Sequence, residues 1–203
     1  MTILKILIGA ALAAGTNAAS VASINASATA IHKIHNIVEK IKNVTNPGQR
    51  SPLSGKTVAV SEEELNAYLA NLAAQKGKDQ IQSVNITLLG DKLLTVRAVA
   101  RVEWKKVFKA DSNSMSAKLL AKAGGIGSTI EAQLQSGSAK GKGYVKVLSL
   151  KINGITVPES LVSQILRYLG ENQRPPMDFS RLFPLPYGIQ KFEVQKDKLA
   201  VHF

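Results

Sequence analysis

The sequence predicts an α+β protein: long antiparallel β-strands combined with one or two amphipathic helices and preceded by an N-terminal helical tail. Three observations predict it. Residues 84–105 alternate apolar and polar side chains on either side of a single Gly90-Asp91 turn, the period of half-buried strands. Stretches 61–75 and 158–169 carry apolar residues at helical spacing instead. The last 21 residues hold four of the ten aromatics and turn once at Lys196-Asp197, so the chain ends on an apolar hairpin and not on a polar tail.

Composition bounds the rest. Apolar residues make up 45% of the 203, enough for one domain with a substantial core plus a tail. Lys and Arg number 26 against 14 Asp and Glu, a net charge of +12, which favours anionic partners: nucleic acid, phospholipid headgroups or acidic polymers. There is no cysteine, so thiol catalysis, disulfides and cysteine-based zinc sites are excluded.

Residues 1–22 have one charge, Lys5, an apolar run over 6–14 and then small residues, the order of a secretory signal with cuts expected after Ala18 or Ala22. An uncleaved anchor is the alternative, although nine apolar residues are short for a bilayer span. Residues 23–56 form a tail and linker. Ile31, Ile34, Val38 and Ile41 place one apolar stripe on a helix over 24–44, and "NPGQRSPLSGK" at 46–56 reads as a linker. The domain proper is expected over 57–203.

Its first helix carries a capping box, Ser61 with Glu64, followed by the stripe Leu65, Tyr68, Leu69 and Leu72, and should end near Lys76-Gly77. Val84, Ile86 and Leu88 lead into the turn. Beyond it Leu94, Val96, Ala98, Ala100, Val102 and Trp104 share one face of a strand of about twelve residues, with Arg97, Arg101, Glu103 and Lys105 on the wet face. The small residues mid-strand leave room for a helix or ligand to approach. Residues 110–127 are ambiguous. Ile130, Ala132 and Leu134 alternate again, and "SGSAKGKG" is a basic turn. "YVKVLSLKINGITV" reads as one further strand with Tyr144, Leu148, Leu150 and Ile152 in phase. Pro158 suits the first turn of a second helix faced by Leu161, Ile165, Tyr168 and Leu169. A proline-rich crossing segment then leads to the final hairpin. "VNITLLGDKLLTV" and "KFEVQKDKLAVHF" echo each other, each downstream of a helix, which suggests a helix-plus-hairpin unit used twice.

The chemistry-bearing motifs are sparse. "GKT" at 55–57 has Arg50 where a phosphate loop needs glycine, and "GGIGSTI" has Ile130 where a third glycine would stand. His32, His35 and Glu39 share a helical face, a spacing that reads more simply as a solvated surface than as a metal site, and His202 falls on the polar face of the last strand. Gly-x-Ser-x-Gly is absent. The sequence therefore points away from an enzyme and implies no catalytic residue, metal or cofactor. Lysines cluster at 105–109, 118–122 and 140–146, but the aromatics lie mostly on the apolar side, where they cannot stack bases, so nucleic acid is disfavoured.

"SEEELNAYLA", the long alternating strands, "INGITVPESLVSQIL" and "FPLPYGIQKFEVQKDKLAVHF" together resemble exported bacterial lipid-binding proteins of the LmeA-like and YpmS-like kind. The resemblance covers residues 57–203 and rests on Ser61, Leu65, Asn66, Gly154, Val157, Pro158, Leu161, Pro186, Gly188, Ile189, Val194, Leu199 and Val201. It implies the tubular lipid-binding (TULIP) fold, a long curved antiparallel β-sheet wrapped on one or two amphipathic helices, with a lipid-accessible apolar groove and no catalytic residues. A strand with a continuous apolar face must in any case be covered by a helix, a partner or a lipid. The expected function is an exported protein of the periplasm or cell envelope, peripheral to the membrane, that binds or transfers a lipid or lipid-linked molecule. Leu65, Tyr68, Leu69, Leu94, Val96, Val102, Trp104, Ile165 and Phe192 would line the groove. Lys105, Lys106, Lys140 and Lys142 would meet headgroups of an anionic membrane surface. The alternative is a structural protein–protein interaction module of the envelope using the same sheet face.

Overall fold

The structure is a computed structural model that describes residues 24–42, 53–75, 81–102, 127–171, 178–185 and 188–203. In chain order these form α1 (Ile24–Lys42), β1 (Thr57–Ser61), α2 (Glu62–Gln75), β2 (Ile81–Gly90), β3 (Leu93–Ala100), β4 (Ser128–Ala139), β5 (Lys142–Ile152), β6 (Ile155–Thr156), α3 (Glu159–Glu171), β7 (Phe183–Pro184), β8 (Lys191–Gln195) and β9 (Lys198–His202). A six-stranded sheet contains β2-β3-β4-β5-β6 in that order, with β7 also on β5, and a three-stranded sheet runs β1-β9-β8. All these pairings are antiparallel.

Register explains the two faces of the large sheet. Ile86, Val96, Ala132 and Leu150 stand in one cross-strand row, and Val84, Ala98, Ile130 and Ile152 in the next. All eight are buried. The intervening row, Asn85, Arg97, Glu131 and Lys151, faces water with alternating charge, and Arg97 Nη2 lies 2.6 Å from Glu131 Oε1. Period-2 side chains make one face core and the other wet, as the sequence pattern requires.

The capping box forms: Glu64 N donates to Ser61 Oγ (3.1 Å), and Ser61 N donates to Glu64 Oε2 (2.9 Å). From this fixed start α2 lies along the edge strand β2. Asn66 Nδ2 donates to Ile86 O (2.8 Å), Ile86 N donates to Asn66 Oδ1 (2.7 Å), and Leu88 N donates to Glu62 Oε2 (2.7 Å). Two side chains one helical turn apart thus stand in for a further strand, which closes an edge that would otherwise be open to pairing. Helix α1, expected as a separate tail, packs against α2: Ile34 joins the core and Lys33 Nζ lies 2.6 Å from Glu64 Oε1.

The terminal hairpin closes one end of the large sheet. Strand β8 crosses from the β4–β5 turn, where Gly141 N donates to Gln190 O (2.8 Å), to the β2–β3 turn, where Lys92 N donates to Val194 O (3.4 Å). Between them Ser138 Oγ donates to Phe192 O (3.0 Å) and accepts from Phe192 N (2.5 Å). The two echoing hairpins meet at their tips through a bridge between Leu89 and Lys196. They differ in size, with ten- and eight-residue strands in the first and two five-residue strands in the second.

Four sequence readings change. "TVAV", unassigned from sequence, is strand β1 on β9, and Gly55 N donates to Phe203 O (2.8 Å), so the end of the expected linker is tied to the C-terminus. Strand β3 ends at Ala100, eight residues long against about twelve expected. The stretch 144–157 is not one strand: Asn153 and Gly154, both at positive φ, turn it into the β5–β6 hairpin, a dipeptide suited to that turn. Within β5 a bulge opposite Gln133/Leu134 changes the phase, so Val147 and not Leu148 faces Leu134, and Leu148 is left 45% exposed. Residues 110–126 lie outside the described residues.

Candidate functional site

Of the residues expected to line a groove, Leu65, Tyr68 and Leu69 stand on α2, Leu94 and Val96 on β3, Ile165 on α3 and Phe192 on β8. All are buried in one contiguous apolar core, and Val102, just beyond β3, packs against it half-buried. Trp104, Lys105 and Lys106 lie outside the described residues. The structure therefore brings four elements together at one place, with α2, α3 and the C-terminal hairpin contributing to the cover of the sheet.

Helix α3 begins as Pro158 allows: its carbonyl accepts from Leu161 N and Val162 N (both 3.0 Å). Leu161 and Ile165 are buried, while Leu166 is half-buried and Arg167 exposed. Opposite this helix the chain returns at 178–180. Asp178 Oδ1 accepts from Ser180 N (2.9 Å) and from Ser180 Oγ (2.5 Å), an Asx turn that holds Phe179 inward. Phe179 meets Phe183 edge to face, with centroids 6.2 Å apart at 84°.

Between helix and turn lies a cleft of about 550 Å³, lined by Ser163, Leu166, Arg167, Glu171, Asp178, Phe179 and Ser180. Its floor is apolar and continuous with the core through Phe179, and its rim carries hydroxyls and both signs of charge. The bonds from Ser180 hold the Asp178 carboxyl below its ordinary value of 3.8, and the charges of Arg181 and Arg167 act in the same sense. The sequence pattern places Leu166 on the second helix but off its stripe, and Phe179 in the proline-rich crossing segment, so it marks neither as a site residue. The available signal was Asp-x-Ser around an aromatic.

A second cleft, about 560 Å³, lies at the hairpin end of the sheet between the β2–β3 turn and β8, lined by residues 89–92, 137–138 and 191–196. Phe192 is the expected site residue that reaches it. Lys140 and Lys142 stand exposed nearby at the β4–β5 turn. Val102 lies at the other end of the strands, since Leu93 pairs with Gln135 at the turn end and Ala100 with Ser128 at the far end.

Fold and site together define an α+β protein of antiparallel sheets and amphipathic helices, and no helix among the described residues is long and apolar enough to cross a membrane. Comparison of the chain with protein-family models, with curated proteins and with solved structures finds no match.

Proposed function

We propose that this chain is an exported, non-enzymatic envelope protein that binds or transfers a lipid or lipid-linked molecule. The observation that carries the reading is the α3 cleft: a floor of Leu166 and Phe179 that runs into the core, beneath a rim of Ser163, Ser180 and Arg167. An amphiphile needs that pairing, since its chain gains by leaving water and its headgroup does not. The cleft volume also falls within the range of about 300–1,000 Å³ common for ligand sites. Helix α3 is the movable wall in this reading. Shifting it outward uncovers the core at Leu161 and Ile165, while α2 stays locked to β2 by Asn66 and Glu62. The secretory signal read in residues 1–22 supports export.

The test is native mass spectrometry of the full chain purified under mild conditions, followed by solvent extraction. A discrete added mass, extractable as lipid and reduced in Leu166→Arg, is the expected result. A clean protein mass that persists after incubation with envelope lipids overturns the reading.

One observation favours the alternative of a protein–protein interaction module. Leu148, Ile155 and Leu182 are exposed around β5 and its short partner strands, and no strand of the described residues pairs with the outer edge of β5 between β7 and β6. A lipid-free protein that captures an envelope partner, with capture lost in Leu148→Asp, would establish that reading.

A further inference from the structure

We infer that the hairpin end of the molecule is a docking platform for an anionic membrane surface, with Lys92, Lys140, Lys142, Lys191, Lys196 and Lys198 as its contacts. The inference deepens the lipid-binding reading by naming the face through which the protein would meet its membrane.

Five of the six lysines come from three separate turns and the sixth from the strand that joins them, and the tertiary structure gathers them. Lys92 closes the β2–β3 turn, Lys140 and Lys142 bracket the β4–β5 turn, and Lys196 and Lys198 flank Asp197 in the β8–β9 turn. Lys191 opens β8, the strand that ties these turns together. At one end of β8 Gly141 N reaches Gln190 O (2.8 Å); at the other Leu89 bridges Lys196 and Asp197 N donates to Leu88 O (3.0 Å). A five-residue strand spans roughly 17 Å, so all three turns lie within about two Debye lengths of one another at physiological salt. The six side chains are exposed, and among the described residues only Lys191 forms an ion pair, with Glu193.

Local structure accounts for Asp91 and Asp197 at this end but not for two of the lysines. Asp91 and Asp197 occupy positive-φ positions (49° and 60°), which aspartate tolerates. Lys92 and Lys140 also stand at positive φ (68° and 50°), where Gly or Asn would serve the turn better. Cations kept at positions that turn chemistry disfavours point to a use for the charge. Leu89, 45% exposed beside the β8–β9 turn, adds an apolar contact within the same surface. Each lysine held near an anionic leaflet attracts it modestly, and several at one end of the molecule act together.

The test is sedimentation of the full chain with vesicles of phosphatidylcholine containing an equal part of phosphatidylglycerol, against pure phosphatidylcholine. The variant K92Q/K140Q/K142Q/K196Q is compared with K56Q/R97Q/R101Q/K151Q, which removes the same charge from exposed positions away from these three turns. Thermal melts check that both variants fold. The expected result is preferential binding to the anionic vesicles, weakened on the order of a hundredfold or more in the first variant and much less in the second. Equal losses in the two variants would reduce the effect to net charge and overturn the platform, as would wild-type binding that ignores phosphatidylglycerol. Tighter binding to duplex nucleic acid, lost in the same first variant, would also overturn it. Because cargo is read by extraction and docking by sedimentation, either proposal can fail while the other stands.

Discussion

At the scale of single residues, Asn66 has a role its position in a helix does not advertise. Its amide makes both hydrogen bonds that a neighbouring strand would have made to Ile86. Replacing Asn66 by Ala leaves a backbone donor and acceptor unsatisfied in a part-buried place, so Asn66→Ala should lose about 1–3 kcal/mol of stability in urea unfolding. Asn66→Asp, which keeps the acceptor and loses the donor, should fall between the two. Glu64 carries a pH signature. Partial burial pushes its carboxyl up, but the Lys33 ammonium and the Ser61 amide and hydroxyl outweigh this and hold it below its ordinary value of 4.5. The folded state thus binds this proton less readily than the unfolded chain. The stabilisation is fully present above the unfolded value and lost as pH falls through the folded one. Glu64→Gln should therefore be less stable than wild type at neutral pH and show a shallower loss between about pH 5 and 3, read from denaturant midpoints across that range.

At the scale of elements, the strand β5 shows how a period can mislead. Counting every second residue back from Ile152 and Leu150 puts Leu148 inside, yet the bulge gives that place to Val147 and leaves Leu148 in water. Nothing in "KVLSL" announces the extra residue, because it is set by the partner strand β4. The start of β5 is legible only in retrospect: a Cβ on Gly143 would come within 2.7 Å of Leu185 Cδ2 and 2.9 Å of Phe183 Cε2, both from buried side chains. Gly143→Ala should cost roughly 1–3 kcal/mol by forcing β7 and its following residue off the sheet, measurable as a lowered Tm. Gly154→Ala is a contrast for which space is not limiting; its cost would come from the positive φ of 78°.

At the scale of the whole molecule, the last thirteen residees of the chain join its beginning to its middle. Strand β9 holds β1, β8 crosses the turns of the large sheet, and Phe192, Val194, Leu199 and Phe203 are buried in the common core. Truncation after Gln190 removes all of these at once and strands Val60 and Leu88 without cover. The truncated chain should lose cooperative unfolding altogether, seen as loss of a sharp thermal transition with secondary structure partly retained.

The elements themselves were legible wherever a local pattern is sufficient to decide them. Ser61 and Glu64 announce α2 because capping is made within four residues, and the alternation around Gly90-Asp91 announces β2 and β3 because one wet face imposes period 2. The same patterns marked Leu65, Leu69, Leu94, Val96, Ile165 and Phe192 as apolar, and the residues expected to line a groove are buried in the core, with Phe192 alone of these six reaching a cleft. The α3 cleft was not legible, and of the lysine end only Lys140 and Lys142 were singled out from sequence. Leu166 and Phe179 are separated by 13 positions, and Lys92 and Lys196 by more than a hundred, so no local period relates them. By itself the sequence determined which residues form helices and hairpins and which of their faces leave water, since both depend on neighbours a few positions away. Only the tertiary structure decided that β8 would cross the end of the large sheet, and with it which turns share a surface, because those contacts depend on chain closure between distant segments.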